Sequence, residues 1–402
     1  MSDSKVSRHL AVTMLALVSC QLGLHACMSG MRVGIPLLAL SENYSKLSLG
    51  FVVASFAILP AILALKFGRM TDRLGYHLPS FLSATMALTG TLLLVLSQDL
   101  WAMIIAASFC GAGSGFGMIA IQRTASRLTS SSAERVRVFS WVALAPALGG
   151  LLGPLLAGSI IDHWGFRAAF LSLAAFPVMS ILCAAFVPRE AIAHPIKGTK
   201  TVPESSLELL RDLPLRRILL INLVVVASWD AHGFALPILG HERHFSATAI
   251  GAVFAAYSSA TLLVRLILPF VSQYLPKRYL LIGSLSIVGG IFSLYPFLPS
   301  VWMLMIGAAI FGCVLGVVTP IIMTFLHESA PPHRQGEVLA LRSMLNQTSL
   351  TVLPLLYGVV GGLSGAATMF WVMSAALFMA AWQSRYFSYQ VAEPQHKTAS
   401  VN

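Results

Sequence analysis

The sequence predicts an all-α membrane protein of twelve transmembrane helices, set in two pseudo-symmetric six-helix bundles. Three observations predict it: a composition suited to lipid, a regular succession of apolar runs, and a recurrence of residues about 201 positions apart. Hydrophobic residues make up 57% of the chain and charged residues 10%, against roughly 25% charged in a soluble domain. The mean hydropathy of +0.80 agrees. At about 20 apolar residues and a short loop per crossing, 402 residues have room for twelve spans.

Lys5 and Arg8 precede an apolar run from about Leu10 to Pro36, too long for the apolar core of a signal peptide, so this run reads as a retained first helix. The predicted spans are 10-37, 47-66, 78-97, 101-122, 138-160, 168-187, 216-238, 248-270, 279-297, 301-325, 339-360 and 365-384. With the N-terminus in the cytoplasm, 20 basic residues fall on the cytoplasmic side and 3 (Lys46, Arg167 and Arg243) on the other; Arg32, Arg265 and Arg342 fall inside spans. That asymmetry follows the positive-inside bias and puts both termini in the cytoplasm of a bacterial-type inner membrane. The net charge of +11 is thereby accounted for by topology, and nucleic acid is not an expected partner. All five cysteines lie in apolar segments, where thiols act as small hydrophobes, and imply no disulfide framework.

These boundaries give an N-terminal bundle over 1-187, a cytoplasmic linker over 188-215, a C-terminal bundle over 216-390 and a tail over 391-402 expected to be disordered. The repeat joins the bundles. Pro36, Ser45 and Gly50 recur as Pro237, Ser246 and Gly251, and Trp101, Gly111 and Gly115 as Trp302, Gly312 and Gly316. Pro154 and Gly158 recur one residue short of that offset as Pro354 and Gly358. Six spans repeated in the same orientation imply a pseudo-two-fold axis along the membrane normal, with a path between the halves.

Between the second and third spans stands Gly68-Arg69-Met70-Thr71-Asp72-Arg73-Leu74-Gly75. Its glycines permit a tight turn, Asp72 can accept from a helix N-terminus, and Arg73 adds a charged partner. This resembles the cytoplasmic-loop signature of the major facilitator superfamily, with Tyr76 and His77 in place of the usual basic pair and a degenerate counterpart at Ser272 to Arg278. In the fifth span, the run from Gly149 through Gly153 and Pro154 to Gly158 resembles the antiporter signature of the drug:proton branch, with Ala157 for one glycine. Small residues four apart let helices approach closely, and Pro154 removes a backbone donor. Ala107 and Cys110 stand where that branch carries an arginine and a glutamine in the fourth span. The departure moves attention to other intramembrane charges.

Asp230 is the one clear intramembrane carboxylate, close to the middle of the seventh span. Two roles stand open: a carboxyl that exchanges a proton, or a permanent ion pair or gate with Arg32, which maps by the repeat onto position 233 of the facing helix. Arg265 and Arg342 sit toward the cytoplasmic half of their spans, where they can snorkel, or else make the cavity positive and suited to an anionic or zwitterionic solute. Gln21, His25, Trp229, His232, Asn346 and Gln347 complete the expected substrate cavity. His241 and His244 are spaced to hold a metal but lack a third ligand, so no metal is expected.

No Walker A sequence and no nucleophile, base and orienter set appears, so neither a cofactor nor catalysis is expected. The resemblance implies a monomeric secondary transporter of a small organic solute, working by alternating access between two rocking halves. Proton-coupled efflux leads; uptake or uniport of an organic anion, and a transporter-like receptor without turnover, are the alternatives.

Overall fold

The computed structural model describes residues 2–128, 132–188, 206–271, 277–330 and 334–386. The predicted tail, most of the predicted linker (189–205) and the second-half loop at 272–276 lie outside the described residues. Eleven α-helices follow in order: α1 (Ser2–Ser41), α2 (Lys46–Leu74), α3 (His77–Leu96), α4 (Leu100–Arg127), α5 (Ser132–Leu173), α6 (Ala175–Ala184), α7 (Leu213–Glu242), α8 (Ala247–Val271), α9 (Lys277–Leu294), α10 (Val301–Ser329) and α11 (Gln335–Ser384). Short 3-10 turns at Ser206–Arg211 and Tyr295–Phe297 connect them.

Among the described residues ten helical stretches are long and apolar enough to cross a bilayer, eight of them 20 to 30 residues long. The other two, Trp141–Ala184 and Glu337–Ser384, run 44 and 48 residues. At 1.5 Å per residue such lengths are about twice the roughly 30 Å hydrocarbon core. Each is interrupted at one glycine, Gly165 (φ 80°, ψ 176°) and Gly365 (φ 83°, ψ 174°), in a region of backbone space open essentially to glycine alone. The chain doubles back there. Gly30 of α1 is approached by both Gly153 and Leu173, and Gly34 by both Ile161 and Phe170. On the other side of the repeat, Tyr357 donates to the Met373 sulfur at 3.6 Å across Gly365.

The repeat seen in sequence reappears in local geometry. α1 and α7 both end in a turn whose left-handed residue is Asn43 (φ 57°) or His244 (φ 58°). Tyr44 and Phe245 then donate back to Ala39 and Gly240. Ser45 caps α2 through the Ser48 N–H, and Ser246 caps α8 through the Ala249 N–H, satisfying donors that a helix start leaves open. Trp101 and Trp302, at the starts of α4 and α10, are 73% and 72% exposed, an amphipathic ring at the depth where headgroups begin.

α5 packs along α8 and α2 along α11, and the close approaches use small residues, as expected where packing rather than water exclusion holds helices together. The Pro154 carbonyl faces Gly251 and the Pro354 carbonyl faces Gly50; Gly158 abuts Ala247, and Gly358 abuts Lys46. A side chain at any of these glycines would meet backbone of the opposing helix. These contacts, with the Lys46–Glu242 ion pair at 2.7 Å, close one end of the molecule.

Candidate functional site

A cavity of about 520 Å³ lies inside, walled by α1, α2, α4 and α5 from one side and α7, α8 and α11 from the other. The α1 contribution comes from one face, where His25, Met28, Ser29 and Arg32 recur at helical spacing. α8 presents Phe254, Tyr257, Ser258, Thr261 and Arg265 in the same way, and α7 presents Trp229, Asp230 and Gly233. Pro60, Pro146, Pro154 and Pro354 also line it; a proline inside a membrane helix frees a carbonyl and eases bending next to the space.

Among the described residues, four side chains that can carry charge near neutral pH reach this space, His25, Arg32, Asp230 and Arg265, beside the phenol of Tyr257. Arg265 is exposed, whereas Asp230 is 7% exposed. The Arg32 guanidinium lies over the Phe56 ring, 5.6 Å from its centroid. Arg32 Nε, Asp230 Oδ2 and His25 Nδ1 are buried atoms without a hydrogen-bond partner. Arg32 and Asp230 feel each other's charge, yet no N···O contact within 4.0 Å joins them.

The other residues expected in the cavity divide. Trp229 lines it and stacks on Tyr257 at 4.4 Å and 27°. Asn346 and Gln347 line it. Gln21 is buried outside it and donates to the Met118 sulfur at 3.6 Å. His232 lies behind the wall, within ring contact of Trp229, Phe254, Tyr257, Phe292, Tyr295 and Phe311, with the Tyr295 hydroxyl 3.4 Å from Nε2. Arg342 does not face the cavity: its Nε donates to Asn222 Oδ1 at 2.8 Å, and Asn222 Nδ2 donates to Asn346 Oδ1 at 2.7 Å. Asn222 escaped sequence reasoning, although a lone amide in an apolar run of α7 is a signal for an interhelical bond.

The two sequence motifs have distinct surroundings. Gly75, at φ 75°, ends α2 and donates to the Thr71 carbonyl, and Gly68 has open space around it. Asp72 accepts from Arg123 Nε of α4 at 3.2 Å, so this contact joins α2 to α4. Arg73 occupies the last turn of α2. In α5, Gly149 and Gly153 lie against the α1 backbone, and Ser29 donates to the Gly149 carbonyl at 2.7 Å. Pro154 and Gly158 instead meet α8, so this motif packs α5 on both sides.

A second unforeseen residue is Asp162. Its Oδ1 accepts from the Ala247 N–H at 2.9 Å and its Oδ2 from the Thr248 N–H at 2.7 Å, capping α8 from the end of α5. No local pattern announces it, because its partners lie 85 and 86 residues away.

Among the described residues, an all-helical chain with an apolar exterior, enclosing a largely apolar cavity with a few charged groups, has the architecture of a multi-pass membrane transporter. The sequence profile of the Major Facilitator Superfamily matches residues 17–229 and again 218–401. The chain belongs to that superfamily. It is 25% identical over 373 residues to the multidrug efflux pump Tap of Mycolicibacterium fortuitum, covering 86% of this chain and 88% of that one. Over a shorter stretch of 134 residues it is 32% identical to the class B tetracycline resistance protein of Escherichia coli, covering 32% of this chain and a third (33%) of that protein. The fold is similar to that of the nucleoside transporter NupG, with a TM-score of 0.73, 14% identity and coverage of 93% and 99% of the two chains.

Proposed function

We propose that the chain exports a small organic solute across a bacterial plasma membrane, by alternating access, and draws the energy from protons flowing inward. Twelve crossings in two six-helix halves belong to this reading, supported by ten apolar stretches of which two double back at Gly165 and Gly365. Both termini are cytoplasmic by the distribution of basic residues, so the end closed by Lys46, Glu242, Asp162 and Ala247 is the outer one. The cavity is then the inward-accessible state of a carrier that works as a monomer.

The observation that carries the reading is Asp230: the one carboxylate lining the cavity, buried, with an oxygen that no described residue satisfies. An unpaired buried charge is costly, and taking up a proton removes that cost. A carboxyl so placed can hold a proton on the outward-to-inward passage and exchange it for solute. The efflux activity in the name of Tap, which this chain matches over most of both lengths, supports the direction.

In proteoliposomes, an imposed proton gradient is expected to drive accumulation of a labelled probe from a panel of tetracycline, ethidium and tryptophan. Asp230→Asn is expected to abolish gradient-driven accumulation and keep counterflow of the same probe. Full gradient-driven flux in that variant removes Asp230 as the coupling group, and binding without counterflow in the unmodified protein turns the reading toward a receptor. Arg32 and Arg265 both line the cavity and favour a second reading, uptake of an organic anion together with a proton. Solute and proton moving in one direction would select it.

A further inference from the structure

We infer that the cavity recognises zwitterions: solutes that carry an ammonium and an acid group on one flat apolar body. The inference rests on the cavity being the substrate site, and it specifies the chemistry of that site.

The sequence offers three arginines against one aspartate, a balance suited to anions as well as zwitterions. In the structure that balance changes. The Arg342 Nε is committed to Asn222, and Arg265 is exposed, so it is not held in the interior and its long side chain can snorkel. The interior then holds one half-buried arginine, Arg32, and one buried carboxylate, Asp230, with the His25 imidazole beside Arg32 on α1. They face the same cavity, each with an unpartnered polar atom, and they do not pair.

Two opposite charges held apart in a poorly solvated space select strongly. A solute with one charge satisfies one group and leaves the other uncompensated, and a neutral solute leaves both. A solute with both charges meets Asp230 with its ammonium and Arg32 with its acid group. Sites built to bond a polar group discriminate sharply against analogues that lack it, because the protein's own buried group is then left unpaired.

The apolar walls suit an aromatic body. Trp229, next in sequence to Asp230, stacks on Tyr257, and both line the cavity. Opposite them Phe56 lies beneath the Arg32 guanidinium. A flat ring can lie against the Trp229–Tyr257 wall while its charged substituents reach α7 and α1. A volume of about 520 Å³ accommodates such a molecule. The ammonium also explains exchange: it occupies the carboxylate that a proton would otherwise hold, so solute and proton exclude each other.

The test uses the purified full chain and two matched sets of probes. Tryptophan carries both charges, tryptamine only the cation and indole-3-propionate only the anion; phenylalanine, phenethylamine and hydrocinnamate repeat the series on a smaller ring. Ligand-induced rises in Tm report relative affinity, because a ligand that binds only the folded state stabilises it more as its concentration exceeds its Kd. The zwitterion of at least one set is expected to bind roughly tenfold or more tightly than either of its one-charge analogues. In Arg32→Gln the preference over the amine should vanish, and in Asp230→Asn the preference over the acid should vanish. Arg32→Lys, which keeps the charge, should retain part of the selectivity and controls for folding. Preference for a one-charge probe, selectivity unchanged in both variants, or no shift from any probe would overturn the assignment. Proton release on binding, read in weakly buffered solution, separates this from the transport reading. Zwitterion preference without proton release upholds the assignment and overturns proton antiport, whereas amine preference with proton release does the reverse.

Discussion

Asp162→Ala removes the carboxylate that caps α8 from α5, and its effect can be sized from the two bonds it accepts. Loss of a helix N-cap costs about 0.5–2 kcal/mol, and hydrogen bonds to a charged acceptor lie at or above that range. Asp162 is exposed, so solvent screening keeps the expected cost to about 1–2 kcal/mol. That is an approximately 5- to 30-fold shift of the equilibrium away from the closed form of this end. The Lys46–Glu242 pair, with side chains 27% and 41% exposed, contributes about 0–1 kcal/mol as a surface ion pair, so Asp162 should dominate. The assay is the distance between spin labels at Glu42→Cys and His241→Cys in a background free of other cysteines. Asp162→Ala should move population from the short to the long distance, and Lys46→Ala should move less. The pH dependence has a definite sign. Partial burial pushes the Asp162 carboxyl up, but the hydrogen bonds from Thr248, Ala247 and Ser246 outweigh it and hold the group below its ordinary value of 3.8. Its contribution to closure is therefore fully present above that value and is lost as pH falls through the lowered one. The difference between Asp162→Ala and the unmodified protein should stay constant through the neutral range and disappear only in strong acid. A distance distribution indifferent to Asp162→Ala, or a difference that fades near neutral pH, would refute this account of the closed end.

Gly165→Ala and Gly365→Ala should each destabilise by about 1–3 kcal/mol, the cost of placing a side chain in that backbone region. No atom crowds either site, so Gly283→Ala, uncrowded but within helical α9, is the control and should leave Tm unchanged or raised; equal Tm values for all three would argue against a forced reversal. Asn222→Leu leaves Arg342 and Asn346 without their shared partner and should lower stability by about 1–3 kcal/mol. Counterflow KM should rise while the ratio of protons to solute stays fixed, and an unaltered Tm would show that the network holds nothing together.

Much of the packing was legible because it repeats. Pro154 with Gly158 and Pro354 with Gly358, read from the sequence as a recurrence, supply the reciprocal approaches of α5 to α8 and α11 to α2. The helix counts differ because an apolar run and a continuous helix are different objects. The runs at 138-160 and 168-187 are separated in sequence by charged residues, and in the structure the two helices abut at Gly165, whose non-helical φ and ψ make the break between them. The groups that were not legible depend on partners far along the chain. Arg32 and Arg342 look alike as arginines in apolar runs, but a residue 120 positions from Arg342 occupies its Nε, and no described residue occupies that of Arg32.

The places where the repeat fails carry the chemistry. Arg32 maps onto Gly233, and Asp230 maps onto Ser29, and all four line the cavity. Each buried charge is therefore matched, across the pseudo-axis, by a small side chain. Long charged groups at all four positions would fill the centre and pair with one another, leaving no vacancy for a solute. A charge opposite a small residue leaves both space and an unsatisfied atom. The closed end follows the same rule: Asp162 has Gly362 one repeat (200 positions) later, and Lys46 has Ala247, whose N–H Asp162 binds. Duplication gives two halves that fit each other through identical glycine and proline contacts. The divergence of a few polar positions within that shared packing ties one end together and leaves unpartnered charged groups around the central cavity.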